Sequence, residues 1–340
     1  MSKKCAFQPR AVRRRPASKG TTTRIEYLSR GHGHGHAATD VRVAAALRTL
    51  GAEVRLASYG SGLDHCTRRG VDCADLGIDD LHDQDPTAAL RVLAYLRGRR
   101  GTDLVVAHEI FAAPSLCRAL GLPCVLLTHW FFAEIGAPDR DALLATPDRL
   151  VLLDLAAAHD VPAALADRVE FTGPVAEPYP GDRPAARRQL GLDPAEYVVV
   201  VTTGAVTTHN RDRLGALPAR VRAALPVRHA RLLVLSGPTA VDDPAPYHRA
   251  ADVVVANATF GALSELVAAG VPTVAVTGGP NPVDRLHAER FAALGLVTTV
   301  DADARTAALA DAIRTARPGP APVDWCTPAA LARRLVAPPA

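Results

Sequence analysis

The sequence predicts an α/β protein built as two doubly wound parallel-sheet domains that face each other across a cleft. Three observations carry this. Short apolar runs alternate with helix-length segments from residue 22 to about 176. The same alternation restarts near residue 185 and runs to about 315. Between them, residues 173–184 (GPVAEPYPGDRP) hold four prolines and two glycines, the composition of a linker. Strand–helix alternation of this kind implies parallel strands joined by right-handed crossovers. The expected divisions are a basic tail over 1–21, a first domain over 22–176 and a second over 177–340.

Each element has a local reason. Thr23–Leu28 is the first strand. Ser29-Arg30-Gly-His-Gly-His-Gly-His36 leads from it into a helix from about Ala37 to Leu50, which Gly51 stops. Glu53–Ser58 is the second strand, followed by a loop rich in Gly and Cys. Pro86–Arg99 reads as a helix, Asp103–Ala107 as a strand with His108 and Glu109 at its carboxyl end, and Ile110–Gly121 as a helix. Pro123–Leu127 is a strand that ends in Thr128-His129-Trp130-Phe131-Phe132. Arg149–Leu153 and Val169–Phe171 complete the first sheet. In the second half come an Ala185–Leu190 helix, a Tyr197–Thr203 strand, a helix ending near Leu225 and an Arg231–Leu235 strand. Val253–Ala256, the helix marked by Leu263, Leu266 and Val267, and Pro272–Val276 form a further strand–helix–strand unit. Val297–Val300 and Thr306–Arg314 close the chain's alternation.

Composition narrows the function classes. The 340 residues are 48% hydrophobic and 4% aromatic, as in a globular protein, and no apolar run reaches the ~18–20 residues of a membrane span. Residues 1–20 carry Lys3, Lys4, Arg10, Arg13, Arg14, Arg15 and Lys19 without an acid; the net charge of +4 less these seven leaves −3 for the rest. A solvated tail is the expectation, with weak peripheral contact to anionic lipid as the alternative. Outside the tail no basic stripe with interleaved aromatics suggests a nucleic-acid groove. Six cysteines without a C-x-x-C pair fit reduced thiols and a cytoplasmic location.

Two stretches carry chemistry. In parallel sheets ligands bind beyond the carboxyl ends of the strands. That rule puts Asn257, Thr259 and Gly261 on one rim with residues 277–284. Glu265 lies one turn into the helix whose positive end faces this rim, where an acceptor suits sugar hydroxyls and the helix start suits phosphate. The Gly-His repeat after the first strand lets backbone approach a ligand closely. Its spacing is not G-x-G-x-x-G, and the second strand lacks the acid that would hold an NAD ribose, so a dinucleotide is not expected. In an extended backbone His32, His34 and His36 would share a side at a spacing compatible with a metal, but no fourth ligand lies nearby and no metal is assigned. Thr202-Thr203-Gly204-Ala205-Val206-Thr207-Thr208-His209-Asn210 offers hydroxyls and an amide for a diphosphate, with Arg211 or Arg213 for leaving-group charge; a plain polar loop is the alternative.

The run AADVVVA, G-A-L-S-E-L, A-A-G-V-P and D-x-x-x-A-x-x-F-x-x-L-G resembles the C-terminal half of the MurG-like glycosyltransferases. That resemblance implies the GT-B fold, two Rossmann-like domains with the active site between them. It implies that Glu265, with Ser264 before it, holds the nucleotide ribose, and that Asn281 and Asp284 bind the donor sugar. It also implies that the histidine before the first helix, His36 or in a shifted register His34, is the base that deprotonates the acceptor. An orienting carboxylate is then expected, Glu109 first and Asp40 second. His108 and His129 would share that rim, and Trp130 and Phe131 would either line the acceptor pocket or be core. Two departures stand out: threonines replace a glycine-rich loop after the strand at 197–203, and Ala176 stands where the family carries an arginine.

The function implied is inverting, metal-independent transfer from a nucleotide diphospho-sugar, preferably a UDP-sugar, to a small-molecule or lipid-linked acceptor, with no cofactor. The alternative is a nucleotide-sugar hydrolase or a hydrolysing UDP-GlcNAc 2-epimerase-like enzyme, to which Val206–Gly215 bears some likeness.

Overall fold

The computed structural model describes residues 22–79, 83, 85–177, 179, 181–203, 215–225, 230–236, 239, 241, 243–279, 281–319 and 325–337. The basic tail lies outside them. Among the described residues the strands form two parallel sheets. The first contains β1 (Arg24–Ser29), β2 (Glu53–Ser58), β3 (Cys73–Asp75), β4 (Leu104–His108), β5 (Cys124–Thr128), β6 (Arg149–Leu152) and β7 (Val169–Phe171). Their order is β3-β2-β1-β4-β5-β6-β7. The second contains β8 (Tyr197–Thr202), β9 (Ala230–Leu235), β10 (Val253–Asn257), β11 (Thr273–Thr277) and β12 (Thr298–Asp301), in the order β12-β11-β10-β8-β9.

The strands are apolar on both faces because helices cover both. In the first sheet Leu28, Val105, Leu126 and Leu150 face one core, while Tyr27, Val106, Leu127 and Val151 face the other. This is the period of two expected of a strand. Truncating one of these side chains, for example Leu126→Ala, is expected to cost about 2–5 kcal/mol.

The helices in the first half are α1 (Gly35–Thr49), α2 (Gly60–Arg68), α3 (Pro86–Arg97), α4 (Ala113–Leu120) and the single turn α5 (Asp141–Leu144). Asp85 caps α3 by accepting from the Thr87 amide at 3.0 Å, and Pro86 supplies its first-turn φ. Helix α4 starts three residues later than the sequence suggests, where Pro114 fits a first turn, and stops at Gly121, whose φ of +69° is left-handed. The loop expected after the second strand contains both α2 and β3. In the second half follow α6 (Arg183–Gln189), α7 (Leu217–Ala224), α8 (Ala245–Ala250), α9 (Phe260–Ala268), α10 (Pro282–Ala293), α11 (Thr306–Thr315) and α12 (Pro328–Val336).

Helix α12 does not stay with the second sheet. Leu331 and Leu335 join the core of the first half beside Val43 and Leu47 of α1, and Arg149 donates to the Arg334 carbonyl at 3.0 Å. Residues 328–336, grouped by sequence with the second domain, therefore pack on the first. At the return crossing Val175 and Cys326 form a parallel bridge beside the linker.

Candidate active site

Strand order in the first sheet reverses between β1 and β4, so the connections leaving their carboxyl ends diverge and open a crevice. β1 delivers Arg30 to it, β4 delivers His108 and Glu109, and β5 delivers His129. The turn after β1 passes tightly under Tyr59. A Cβ on Gly31 would lie 2.1 Å from the Tyr59 carbonyl oxygen, so only glycine fits. The turn then feeds α1, with His36 in its first turn.

Glu109 is the hub. Its φ of +53° is the one left-handed value at a non-glycine position among the described residues. Such a backbone costs of order 1–3 kcal/mol and persists only where its surroundings hold it. Here Arg30 Nη1 lies 3.0 Å from Oε2, His36 Nε2 lies 3.1 Å from the same oxygen, and His129 Nδ1 lies 3.0 Å from Oε1. Burial pushes the Glu109 carboxyl up, but His36 and His129 beside it bring it well below the usual carboxylate range. Burial in turn lowers the His36 imidazole, outweighing Glu109, and lowers His129 to about 4. Both rings are therefore neutral near pH 7. Arg30 also donates to Asp83 at 2.7 Å, and the Tyr59 hydroxyl donates to Asp83 at 3.1 Å.

Behind this layer His108 Nδ1 donates to Asp40 Oδ1 at 2.8 Å, and the Tyr27 hydroxyl donates to the same oxygen at 2.8 Å. Burial opposes the charge on Asp40, yet the His108 imidazole holds its carboxyl below the ordinary value. Asp40, the second candidate for orienting His36, thus orients His108 instead. His34 turns towards Arg68, whose Nη2 is 3.0 Å from its Nε2, and its ring lies 5.8 Å from that of His65 at a tilt of 39°. Gly33, at φ +74°, breaks the extended backbone that would have put His32, His34 and His36 on one side.

Trp130 and Phe131 are 6% and 0% exposed; Trp130 packs on Phe111 and Phe132, Phe131 on His159. They are core rather than the wall of an open pocket, and His108 is equally buried. Of the four acceptor candidates His129 remains partly exposed. Its ring lies 4.3 Å from that of Phe260 in the other half.

On the second half Asn257 ends β10 and Thr259 occupies the N-cap of α9. A Cβ on Gly261 would stand 4.0 Å from the Gly35 Cα, so the starts of α1 and α9 face each other at backbone distance. Ser264 is buried with its hydroxyl unpartnered, and Glu265 projects from the next position. Arg42 of α1 reaches across and donates to Glu265 Oε1 at 2.5 Å. Asn281 caps α10 by accepting from the Val283 amide at 3.1 Å, and donates to Asp284 at 3.2 Å. Gly204, Thr207, Thr208 and Asn210 lie outside the described residues, as do Arg211 and Arg213.

The halves also meet along a second line. His159 Nδ1 is 2.9 Å from Glu134 and its Nε2 is 3.1 Å from Asp154. From α10, Arg290 pairs with Glu134, and His287 Nδ1 lies 3.6 Å from Asp154. The facing surfaces are bridged here and at Arg42–Glu265, where the sequence suggests an open gap. Cavities of about 540 Å³ between Leu144 and Arg334 and 350 Å³ between Gly77 and Arg91 lie away from both lines. Sequence reasoning missed Arg30, Asp83, Arg42, Phe260 and this seam; only Arg30, inside the Gly-His turn, stood where a signal existed.

No family model matches the chain. Over 207 residues it is 30% identical to the UDP-N-acetylglucosamine–N-acetylmuramyl-(pentapeptide) pyrophosphoryl-undecaprenol N-acetylglucosamine transferase of Clavibacter michiganensis subsp. michiganensis (strain NCPPB 382), covering 56% of this chain and 48% of that protein. The chain thus spans about half the length of this curated relative. The glycotransferase of kitacinnamycin superposes with a TM-score of 0.64 at 20% identity, over 92% of this chain and 93% of that one. Acinetobacter baumannii MurG superposes with a TM-score of 0.59 at 15% identity, over 87% and 90%. The fold is GT-B. LpCGTa, solved in complex with UDP, shares it with a TM-score of 0.63 at 15% identity, over 93% of each chain. In a GT-B frame the His36–Glu109 rim and the Glu265 helix are the two faces that oppose each other across the domain junction. No described helix is long and apolar enough to cross a membrane.

Proposed function

We propose that the protein is an inverting glycosyltransferase that moves a sugar from a nucleotide diphospho-sugar, a UDP-sugar by preference, to a hydroxyl or amine of a small or lipid-linked acceptor. The observation that carries this reading is His36. It sits in the first turn of α1, held by Glu109 at 3.1 Å, directly opposite the start of α9. With Nε2–H donating to Glu109, Nδ1 keeps the lone pair that takes the acceptor proton. The acceptor oxygen or nitrogen then forms the bond to the anomeric carbon while the bond to the diphosphate breaks. The positive end of α9 faces the leaving group, and Glu265 accepts from the ribose hydroxyls. The name of the Clavibacter relative, which carries UDP-N-acetylglucosamine, and the UDP bound to LpCGTa support the choice of donor.

Because Arg42 occupies Glu265 and the seam is bridged, donor entry requires the halves to part and then close again. No metal takes part in the transfer, so stripping divalent ions leaves turnover intact. The test is turnover of His36→Ala against donor binding by calorimetry, with the anomeric configuration of product read by NMR. Loss of turnover with binding retained and an inverted anomer is expected; unchanged turnover removes His36 as the base.

A further inference from the structure

Three imidazoles converge behind the Gly-His turn. His36, His108 and His129 each offer one ring nitrogen, and these atoms all lie within 4.8 Å of one another. The ring centroids are 4.5 Å apart for His36 and His108, 4.9 Å for His108 and His129, and 5.6 Å for His36 and His129. Every ring has one nitrogen on a carboxylate: His36 and His129 on Glu109, His108 on Asp40. An imidazole anchored in this way has its tautomer and orientation fixed and its second nitrogen made more basic, the arrangement that carboxylates impose on metal-binding histidines.

His108 is the decisive residue. It is 1% exposed, and its Nε2 has no hydrogen-bond partner. Leaving a buried polar nitrogen unmatched costs about 1–3 kcal/mol. The proposed transfer gives that nitrogen no task, because the proton passes to His36 alone. The surroundings are also electronegative: Glu109, Asp40 and Asp83 stand against the single guanidinium of Arg30, a net −2 before the imidazoles are counted.

We propose that His36, His108 and His129 form a three-nitrogen site for a divalent transition metal of the zinc class, and that occupancy of this site reversibly withdraws His36 from proton abstraction. Three imidazoles with an open fourth position suit zinc and its borderline neighbours rather than magnesium or calcium. Zinc–nitrogen bonds of about 2.0–2.1 Å place tetrahedral ligand atoms roughly 3.4 Å apart. The widest pair would therefore close by no more than about 1.4 Å, within reach of side-chain rotation. The inhibitory half of the proposal rests on His36 being the base; the binding half does not.

The experiment uses the full chain, stripped with a chelator that is then removed, and titrated with Co²⁺ while the visible bands of four-coordinate cobalt are followed. One equivalent is expected, displaced by Zn²⁺. His108→Gln and, separately, His129→Gln should weaken binding more than about tenfold, whereas His32→Ala/His34→Ala should retain it. Circular dichroism checks each variant; if His108→Gln fails to fold, His129→Gln decides. Absence of the bands, or their loss in the His32/His34 variant alone, overturns the proposal. Cobalt bound through His108 and His129 in a protein that transfers no sugar would keep the metal site and sink the transferase reading. Sugar transfer without metal binding would do the reverse. If both hold, Zn²⁺ at one equivalent should suppress turnover and chelation should restore it; turnover unaffected by bound metal removes the inhibitory half.

Discussion

Two buried histidine–carboxylate clusters lie at the junction of the halves, and they use the same residue types in opposite ways. At the rim, His36 and His129 each lean on Glu109 with one nitrogen, and burial keeps both rings neutral. At the seam, His159 has a carboxylate at each nitrogen, Glu134 on one side and Asp154 on the other. Two carboxylates this close to one imidazole favour its cationic form. Burial opposes that charge on His159, but Asp154 and Glu134 outweigh it and raise the ring above its ordinary value. One cluster thus favours the neutral ring, which can accept a proton, and the other favours the cation beside the tie between halves.

The comparison can be broken most severely at the rim. His36→Ala should lower turnover by about 10²–10⁴-fold, the usual worth of a positioned general base. Glu109→Gln keeps the shape but removes the charge that orients His36 and His129. It should lower turnover by roughly 10–100-fold with little change in the apparent affinity for donor, read from full kinetic curves. At the seam the prediction is one of stability. A raised His159 contributes fully below about pH 6.5, and its contribution fades as pH rises through its folded value. Glu134 and Asp154, both lowered, contribute above about pH 4–4.5 and fade as pH falls. The melting temperature of the native chain should therefore drop as pH climbs above 6.5 by more than that of His159→Gln. Parallel curves would show that the seam does not titrate. The smallest effect is expected at Arg42→Met, which frees Glu265 from a part-exposed ion pair worth about 0.2–1 kcal/mol. Donor affinity by calorimetry should tighten by roughly 1.4–5-fold; weaker binding would mean that Arg42 holds the donor rather than blocks it.

The sheets were legible because parallel strands covered on both faces appear as unbroken apolar runs, as in Val253–Ala256 and Cys124–Thr128. Helix α2 was not: Gly60, Gly62 and polar residues look like a loop, and Gly62 is there because a Cβ would meet the Ser58 hydroxyl at 2.5 Å. Helix α12 is short and rich in alanine and arginine, and nothing local says that it packs against α1. The pairing of His36 with Glu109 could be anticipated, since both lie at strand or helix ends that a parallel sheet gathers on one rim. Its limit shows at Arg42 and Glu265, 223 residues apart. Contact between them depends on how two separately folded units meet, which no short-range pattern encodes. Trp130 and Phe131 mark another limit: they follow a strand end, where pocket and core are both open readings, and their size draws them into the core.

The return of α12 to the first half has a mechanical corollary. The polypeptide passes between the units twice, and the two passages are stitched side by side, the Cys326 amide donating to the Pro174 carbonyl at 3.0 Å and the Ala176 amide to the Cys326 carbonyl at 3.1 Å. A single tether would permit swivelling in any direction. Paired straps of this sort favour a door-like swing about one line, so that whenever Arg42 lets go of Glu265 the two surfaces can find the same register again on closing.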